Sequence, residues 1–417
     1  MKVRLHVRPA TSMRRSRACG IVGFVAVLLS AASTAPSPLY SIYQEQWQFS
    51  TATTTVVFAV YCLCALAGML LFGSLSDTVG RRPVLLLSLG LVGVAMVVFV
   101  LADGVGWLLA ARALQGIGGG VGGCAVAAAL IDMAPAGALL GSLTPILGIG
   151  AGSVGAGVLV QYGPAPTTLT YVVVLALTVL AAGGVLRIPE TVPGGPRPRF
   201  TVRPRRISVP ALARKAFLLL SLPVVAVWAV GGLYMGLGPM LAADLLGSRS
   251  STVDGLVVTM LAVFGALAQL TCRGVRCRTA ISWGSWLLLA GLALVAAALS
   301  FASTALLFLA TALLGFGWGA TYMAAFRLLT ELAEPARRGE LLAAVNVVAY
   351  VGTAVPTIGL GVAAQQMGMQ NATTAFIVVV AALVLLALAG LPQTPAAQAP
   401  AVQTPEAQTP VVQTPSA

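Results

Sequence analysis

A short charged stretch between two long apolar runs has the most distinctive residue spacing in the chain. Its acid lies one helical turn before two arginines, so these side chains can form ion pairs. A carboxylate here can also face the positive N-terminal end of another helix. Because glycines and charges lie together where two apolar runs meet, we expect a turn that links helix ends. The residues that define the stretch are Gly73, Leu75, Asp77, Gly80, Arg81 and Arg82.

Arg112 is a charged residue inside an apolar run, followed within one turn by Gln115 and Gly116. An arginine in the core of a membrane-spanning helix costs about 2.5–3.5 kcal/mol on insertion scales, so it normally faces a wet cavity or a partner. The alternative is that its side chain extends to the outer membrane surface, which is close enough to reach. The sequence leaves both interpretations open.

Arg327 and Glu331 stand four residues apart near the end of a later apolar run. This spacing predicts a structural ion pair at a helix end, with no role in binding a substrate. No aspartate or glutamate falls in the middle of any apolar run. A carboxylate whose burial lets it carry a proton is therefore not evident from the sequence.

Polar and aromatic side chains within the apolar runs are the candidates for contact with a substrate. Aromatic residues with few charges suit an amphipathic or apolar organic compound. Each of them, taken singly, is more often engaged in packing or in hydrogen bonds between helices. The candidates are Ser33, Thr34, Ser37, Tyr40, Gln115, Trp228, Tyr234, Trp318, Tyr322, Asn346 and Tyr350.

The composition excludes an ordinary soluble domain, because 58% of the 417 residues are hydrophobic and only 8% are charged. Soluble domains carry about 25% charged residues. Six cysteines without a C-x-x-C spacing, and a single histidine, predict neither a disulfide framework nor a metal site. No cofactor motif and no nucleophile–base pair is evident, so an enzyme is not expected.

Twelve apolar segments, each about long enough to cross a bilayer, predict an all-α membrane protein built as two pseudo-symmetric six-helix bundles. They lie at about 20–40, 53–75, 83–102, 106–131, 139–161 and 168–187, and then at 216–240, 252–272, 280–300, 304–328, 340–363 and 372–391. The predicted organisation is a basic tail at 1–19, a bundle at 20–187, a basic linker at 188–215, a bundle at 216–391 and a disordered Gln-Thr-Pro repeat tail at 392–417.

The distribution of the 24 lysines and arginines predicts the orientation. Placing both termini in the cytoplasm puts nearly all of them on the cytoplasmic side, as the positive-inside rule requires. The formal charge of +13 is therefore a topology signal and not a nucleic-acid footprint. We expect a multi-pass protein of the cell membrane that acts as a monomer.

The two sets of six segments also resemble each other. The glycines at 116, 118 and 120 correspond to those at 315, 317 and 319. Aligning Gly265 with Gly73 gives the second half a copy of the charged stretch that has lost its acid. Two related six-helix bundles place a shared site between them, near the middle of the membrane.

The charged stretch resembles the G-x-L-a-D-x-x-G-R-[RK] signature of Major Facilitator Superfamily transporters, and the stretch from Arg112 resembles their R-x-x-Q-G-x-G motif. A third stretch, Gly152 to Gly157, is similar to the G-P-x-x-G-G motif of drug/proton antiporters, but it departs at Ser153 and Ala156. The resemblance covers about residues 18–391.

The resemblance implies that Asp77 helps to latch the cytoplasmic side shut against the eleventh helix, which would begin near Glu340. It also implies a role for Arg112 in proton coupling or in holding an anionic substrate group. The expected function is secondary active transport by alternating access, with efflux of a drug or secondary metabolite against proton entry. The alternatives are uptake of an organic anion or other metabolite, and a membrane sensor or interaction protein.

Overall fold

The computed structural model describes residues 12–191, 207–209, 214–246, 250–331 and 338–390. Every regular element in these ranges is helical, and twelve helices are long and apolar enough to cross a membrane. The all-α, twelve-span prediction is therefore confirmed. The predicted tail at 392–417 and most of the predicted linker at 188–215 lie outside the described residues.

The first half of the chain forms six spans, with the first one broken. The helices are α1 (Ser12–Thr34), α2 (Tyr40–Trp47), α3 (Thr51–Phe72), α4 (Leu75–Val79), α5 (Arg81–Val100), α6 (Val105–Met133), α7 (Gly137–Tyr162) and α8 (Pro166–Val185). Pro36 and Pro38 lie at the break between α1 and α2, because proline lacks the N–H that would continue the helix. One short 3-10 turn, Ser37–Leu39, connects the two pieces.

The second half repeats this order. Its helices are α9 (Arg214–Gly236), α10 (Gly238–Leu246), α11 (Ser251–Thr271), α12 (Cys277–Phe301), α13 (Thr304–Glu331), α14 (Arg338–Met367) and α15 (Met369–Gly390). Each half has a large hydrophobic core made almost wholly from its own helices. The halves meet where α3 packs on α14 and where α7 packs on α11.

Close contacts of glycines show how the halves correspond. In the first half, Gly116 of α6 lies directly against the carbonyl oxygen of Tyr61 in α3. In the second half, Gly315 of α13 lies in the same way against the carbonyl oxygen of Leu261 in α11. The predicted equivalence of the two glycine runs therefore agrees with how α6 and α13 pack. Small residues at such contacts let helix backbones approach closely.

The same contacts correct the predicted alignment of Gly265 with Gly73. Gly120 packs on the backbone of Ala65, and Gly319 packs equivalently on the backbone of Gly265. Gly265 therefore corresponds to Ala65, eight residues earlier than expected. Because eight residues are close to two helical turns, a slip of this size keeps small residues on the same helix face and is invisible in the sequence pattern.

Candidate transport site and signature loop

The charged loop around α4 is held together by Arg81. Its Nη1 lies 2.5 Å from Oδ1 of Asp77 and donates to the Ser76 hydroxyl at 2.8 Å. Its Nε lies 3.2 Å from Oδ2 of Asp132, at the end of α6. One guanidinium thus joins the end of the second span to the end of the fourth, with the planar, multi-donor geometry that arginine provides.

Glu190, beyond the end of α8, holds the start of α5. Its carboxylate accepts hydrogen bonds from the backbone N–H groups of Arg81 and Arg82, at 2.9 and 3.1 Å. A carboxylate is favourable there because the first N–H groups of a helix have no partner within the helix. Glu190 was not among the residues predicted from the sequence. Its position just beyond the last span of the first bundle is the sequence feature that could have indicated it.

Gly80 has a backbone conformation in this loop that favours glycine. Its φ of 113° lies in a region that other residues rarely adopt. A Cβ added to it would also lie 2.6 Å from Oε2 of Glu190. The two glycines of the loop therefore differ, because Gly73 has an ordinary right-handed helical conformation.

Asp77 forms its described ion pair within its own half, and 55% of its side chain is exposed. Within the described residues, no ion pair joins it to α14, where the latch was expected; residues 332–337, just before that helix, are not described. Gly73, Leu75 and Arg82 lie in the loop around these charges. The latch therefore stays a prediction, for a state in which the halves approach each other on this side.

Arg112 is fully buried and points at the break in the first span. Its Nε donates to the Tyr40 hydroxyl at 2.7 Å, and its Nη2 contacts the same oxygen. Its Nη1 donates to the Ser33 carbonyl and to Gln115 Oε1, both at 2.7 Å. Gln115 in turn donates to the Ala32 carbonyl at 2.7 Å. The side chain therefore does not extend to the outer membrane surface.

The charge of Arg112 is met by neutral groups, since the described ion pairs involve only Arg81. Its guanidinium carbon lies 5.4 Å from the ring centroids of both Tyr40 and Tyr61, within the range of a cation–π contact. The Ser33 carbonyl that it binds lies in the last turn of α1, where the helix dipole is negative. Arg112 thus fastens the broken first span to α6, while Gly116 gives α6 its close contact with α3.

An aromatic cluster in the second half surrounds Trp228 of α9. Its ring centroid lies 6.0 Å from Trp318 and 5.3 Å from Tyr322, both edge-on, and 6.3 Å from Tyr350 in a stacked arrangement. The indole nitrogens of Trp228 and Trp318 are both buried without a hydrogen-bond partner. A buried N–H without an acceptor is unfavourable, so a ligand that supplies an acceptor would gain from it.

Two further candidates do not join either group. Tyr234 is buried, and its hydroxyl lies 3.0 Å from Oγ1 of Thr311, so it ties α9 to α13. Asn346 is half-buried on α14. The structure thus brings Tyr40, Arg112 and Gln115 together in one half, and Trp318 and Tyr322 together in the other.

The halves are closed together on the side opposite the charged loop. There, Ser37 donates a hydrogen bond to the carbonyl of Met235 at 2.8 Å, across the two halves. Gln161, near the end of α7, accepts from the Ser250 hydroxyl at 2.9 Å and from the Thr252 N–H at 3.1 Å. We call the contact of α7 with α11, together with this turn, the closed seam. The two halves are therefore in direct contact on this side.

A sequence profile described as Major Facilitator Superfamily matches residues 22–275, more than half of the chain. The chain belongs to the Major Facilitator Superfamily. It is therefore a multi-pass membrane protein of a transporter superfamily.

Solved structures show the same fold. A bacterial homologue of the human lysosomal transporter Spinster, in an inward-facing and unoccupied conformation, has a TM-score of 0.72 at 16% identity, over 90% of this chain and 97% of that one. A POT family transporter in complex with 5-aminolevulinic acid has a TM-score of 0.71 at 13% identity, over 89% of this chain and 96% of that one. At these identities the likeness concerns the fold alone.

Similarity to curated superfamily members is local. This transporter is 42% identical over 71 residues to efflux pump dotC of Dothistroma septosporum, which is 17% of this chain and 12% of that protein. It is 42% identical over 67 residues to multidrug resistance protein D of Escherichia coli, which is 16% and 17% of the two chains. The chain thus spans less than a fifth of the length of these relatives.

The expected ion pair of Arg327 with Glu331 is not formed in this transporter. Arg327 Nη1 instead donates to the backbone carbonyl of Arg273 at 3.1 Å. That carbonyl follows the end of α11, where unpaired carbonyls and the helix dipole attract a cation. A neighbouring helix end thus competes successfully with an exposed i,i+4 carboxylate, whose pairing is worth only about 0.2–0.5 kcal/mol.

Proposed function

We propose that this transporter exports a small organic compound through the cleft between its halves while protons move the opposite way. The substrate would lie between the wall formed by Tyr61, with Arg112 buried behind it, in the first half and the aromatic cluster in the second. Tyr61 and Tyr350 pack against the same small cluster of side chains at the junction of the halves. This continuity of aromatic surface across the junction supports a single ligand that contacts both walls.

The observation that carries the proposal is the pair of unpaired indole N–H groups of Trp228 and Trp318. They favour a planar or amphipathic compound that presents a hydrogen-bond acceptor, such as a carbonyl or ether oxygen, to the aromatic cluster. Edge-on and stacked rings provide apolar contact for its remaining surface. Tyr40, Gln115 and Gly116 would support Arg112 on the opposite wall.

The closed seam corresponds to one state of the proposed cycle. With both termini in the cytoplasm, as the positive-inside rule predicts, the charged loop faces the cytoplasm and the closed seam faces outside. The cleft in this state would then be reached from the cytoplasm, where an exporter binds its compound and an importer releases it. Rocking of the halves would close the side of the charged loop through Asp77 and open the seam. Both halves that this cycle needs are present in one chain.

The names of the relatives, efflux pump and multidrug resistance protein, also support export. Uptake of an organic anion held by Arg112 has no comparable support, because each guanidinium nitrogen already contacts Tyr40, Ser33 or Gln115. Neither the closed seam nor the charged loop supports a purely sensory role, because both are parts of the proposed transport cycle.

Purified protein in liposomes tests the proposal. Compounds are first selected by the susceptibility of a deletion strain, and labelled compound is then followed in counterflow, which only a carrier performs. An imposed pH gradient should accelerate uptake into inside-out vesicles. The uptake should in turn dissipate the gradient in proportion to the amount of substrate moved. Counterflow without any proton movement would contradict antiport, and absence of counterflow with every selected compound would contradict export.

A further inference from the structure

Asp254 is a buried acid that the sequence analysis did not single out. It lies in the first turn of α11, and only 6% of the residue is exposed. Its Oδ1 is buried without a hydrogen-bond partner. An unpaired carboxylate away from water is very unfavourable, whereas a neutral carboxyl is far less so. Ionisable residues within membrane spans usually mark ion or proton pathways.

The position of Asp254 places it at the closed seam. Its neighbour Gly255 packs directly on the backbone of Ser153 in α7, so this turn of α11 touches the other half. Val258 lies one helical turn further along α11 and belongs to the same small cluster of buried side chains as Phe58 of α3. Asp254 therefore lies between residues of α11 that meet the other half on this side.

The pseudo-symmetry of the halves makes this acid stand out. The helix α3 begins after Ser50, and α11 begins after Ser250, so Thr54 occupies the equivalent place in the first half. Thr54 is also fully buried, and its hydroxyl also lacks a partner. Packing at this position thus accepts a small neutral side chain, and the second half carries a carboxyl there instead.

Among the described residues on the elements packed around α11, no charged group pairs with Asp254. Those of α13, Arg327 and Glu331, lie towards the other end of α11, where Arg327 contacts Arg273 about 28 Å along the helix. The tyrosines at 40 and 234 are bonded to Arg112 and Thr311, and Tyr162 of α7 is 73% exposed. The side chains of Asp244 and Arg249 are not among those described.

We propose that Asp254 is a proton-binding site that must be neutral for the seam to close, and that it thereby makes closure of the seam depend on pH. The inference rests on the proposed alternating-access cycle. When the seam opens, water on that side reaches the carboxyl and exchanges its proton with it; when the carboxyl is protonated, the halves can close over it. Because one proton is bound by the closed state, the closed-to-open ratio can change by at most about tenfold for each pH unit.

Transport by the Asp254→Asn protein tests this role, since asparagine has the same shape and cannot ionise. We expect counterflow to persist while its dependence on the pH of the solution on the seam side is lost. Ser153→Ala is the matched control, because Ser153 is a fully buried and unpaired polar residue of the same seam that does not titrate. It should keep the full response to that pH. A full response in Asp254→Asn would overturn the proposal.

A measurement without transport separates this inference from the proposed function. Spin labels at Tyr162→Cys and Met367→Cys, in a background with the six native cysteines replaced by alanine, report the distance between the halves at the seam. In the parent protein the long-distance population should grow as the pH rises, and in Asp254→Asn it should stay small throughout. Identical pH responses in the two proteins would overturn the role of Asp254 even if antiport were confirmed, and a response abolished by Arg249→Gln alone would assign the effect to that cation instead.

Discussion

Arg112 donates a hydrogen bond from Nη1 to the backbone carbonyl oxygen of Ser33, 2.7 Å away, at the last turn of a helix that ends in mid-span. A buried cation is thus neutralised by the carbonyls of a broken helix and by hydroxyl and amide oxygens. Arginine suits this place because its several donors form a planar fork that a lysine cannot reproduce.

Arg112→Lys should reach the membrane and lose at least about tenfold in transport rate. Lysine keeps the charge but leaves the Tyr40 hydroxyl or the Ser33 carbonyl unpaired, and each buried polar group without a partner costs about 1–3 kcal/mol. Initial rates at equal membrane abundance measure the effect. Arg327→Lys is the control, because Arg327 makes one described hydrogen bond at a helix end and should retain most activity. Equal rates in both variants would show that the fork of Arg112 is dispensable.

Gly80→Ala should lower the stability of the protein by about 1–3 kcal/mol, because alanine is strained at a φ of 113°. Its Cβ would also collide with Glu190. The double variant Gly80→Ala/Glu190→Ala removes the collision but keeps the strain, so it should not recover the original stability. Thermal unfolding in detergent measures both. An unchanged melting temperature in Gly80→Ala would contradict the described loop conformation.

Asp77→Asn should insert normally and lower transport several-fold, because the neutral side chain pairs weakly with Arg81 and with the start of α14. Asp132→Asn is the matched comparison, since it removes the other acid bound to Arg81 and keeps Asp77, the residue of the predicted latch. A similar loss in both variants would point to the ion-pair network within the first half. Turnover at the original rate in Asp77→Asn would exclude the latch.

Trp228→Phe and Trp318→Phe should each raise the substrate KM about 3–10-fold with little change in stability. Phenylalanine keeps an aromatic ring but removes the indole N–H, and one hydrogen bond is worth about 0.5–1.5 kcal/mol. Stability should not fall, because neither N–H has a partner in the protein. Trp283→Phe, at a position that is 70% exposed, is the control. An unchanged KM in both cluster variants would remove the indoles from the substrate site.

Much of the architecture was predictable from the sequence because it depends on local pattern. Length and hydropathy identified twelve spans, and the glycine and charge spacing identified the loop around Asp77 and Arg81. These features follow from the free-energy cost of placing polar groups in hydrocarbon. Each segment avoids that cost through its own composition and hydrogen bonds, without help from its neighbours.

The partners of the buried polar groups depended on tertiary structure, because they are set by which helix faces meet. That Glu190 caps α5, that Arg112 binds the end of α1, and that Arg327 prefers a carbonyl to Glu331 all involve residues far apart in the chain. Asp254 looks like an ordinary acid in a first turn, and only the packed structure shows that it is buried. Hydropathy records how apolar a segment is, but only the packed helices determine which of its polar atoms water can reach.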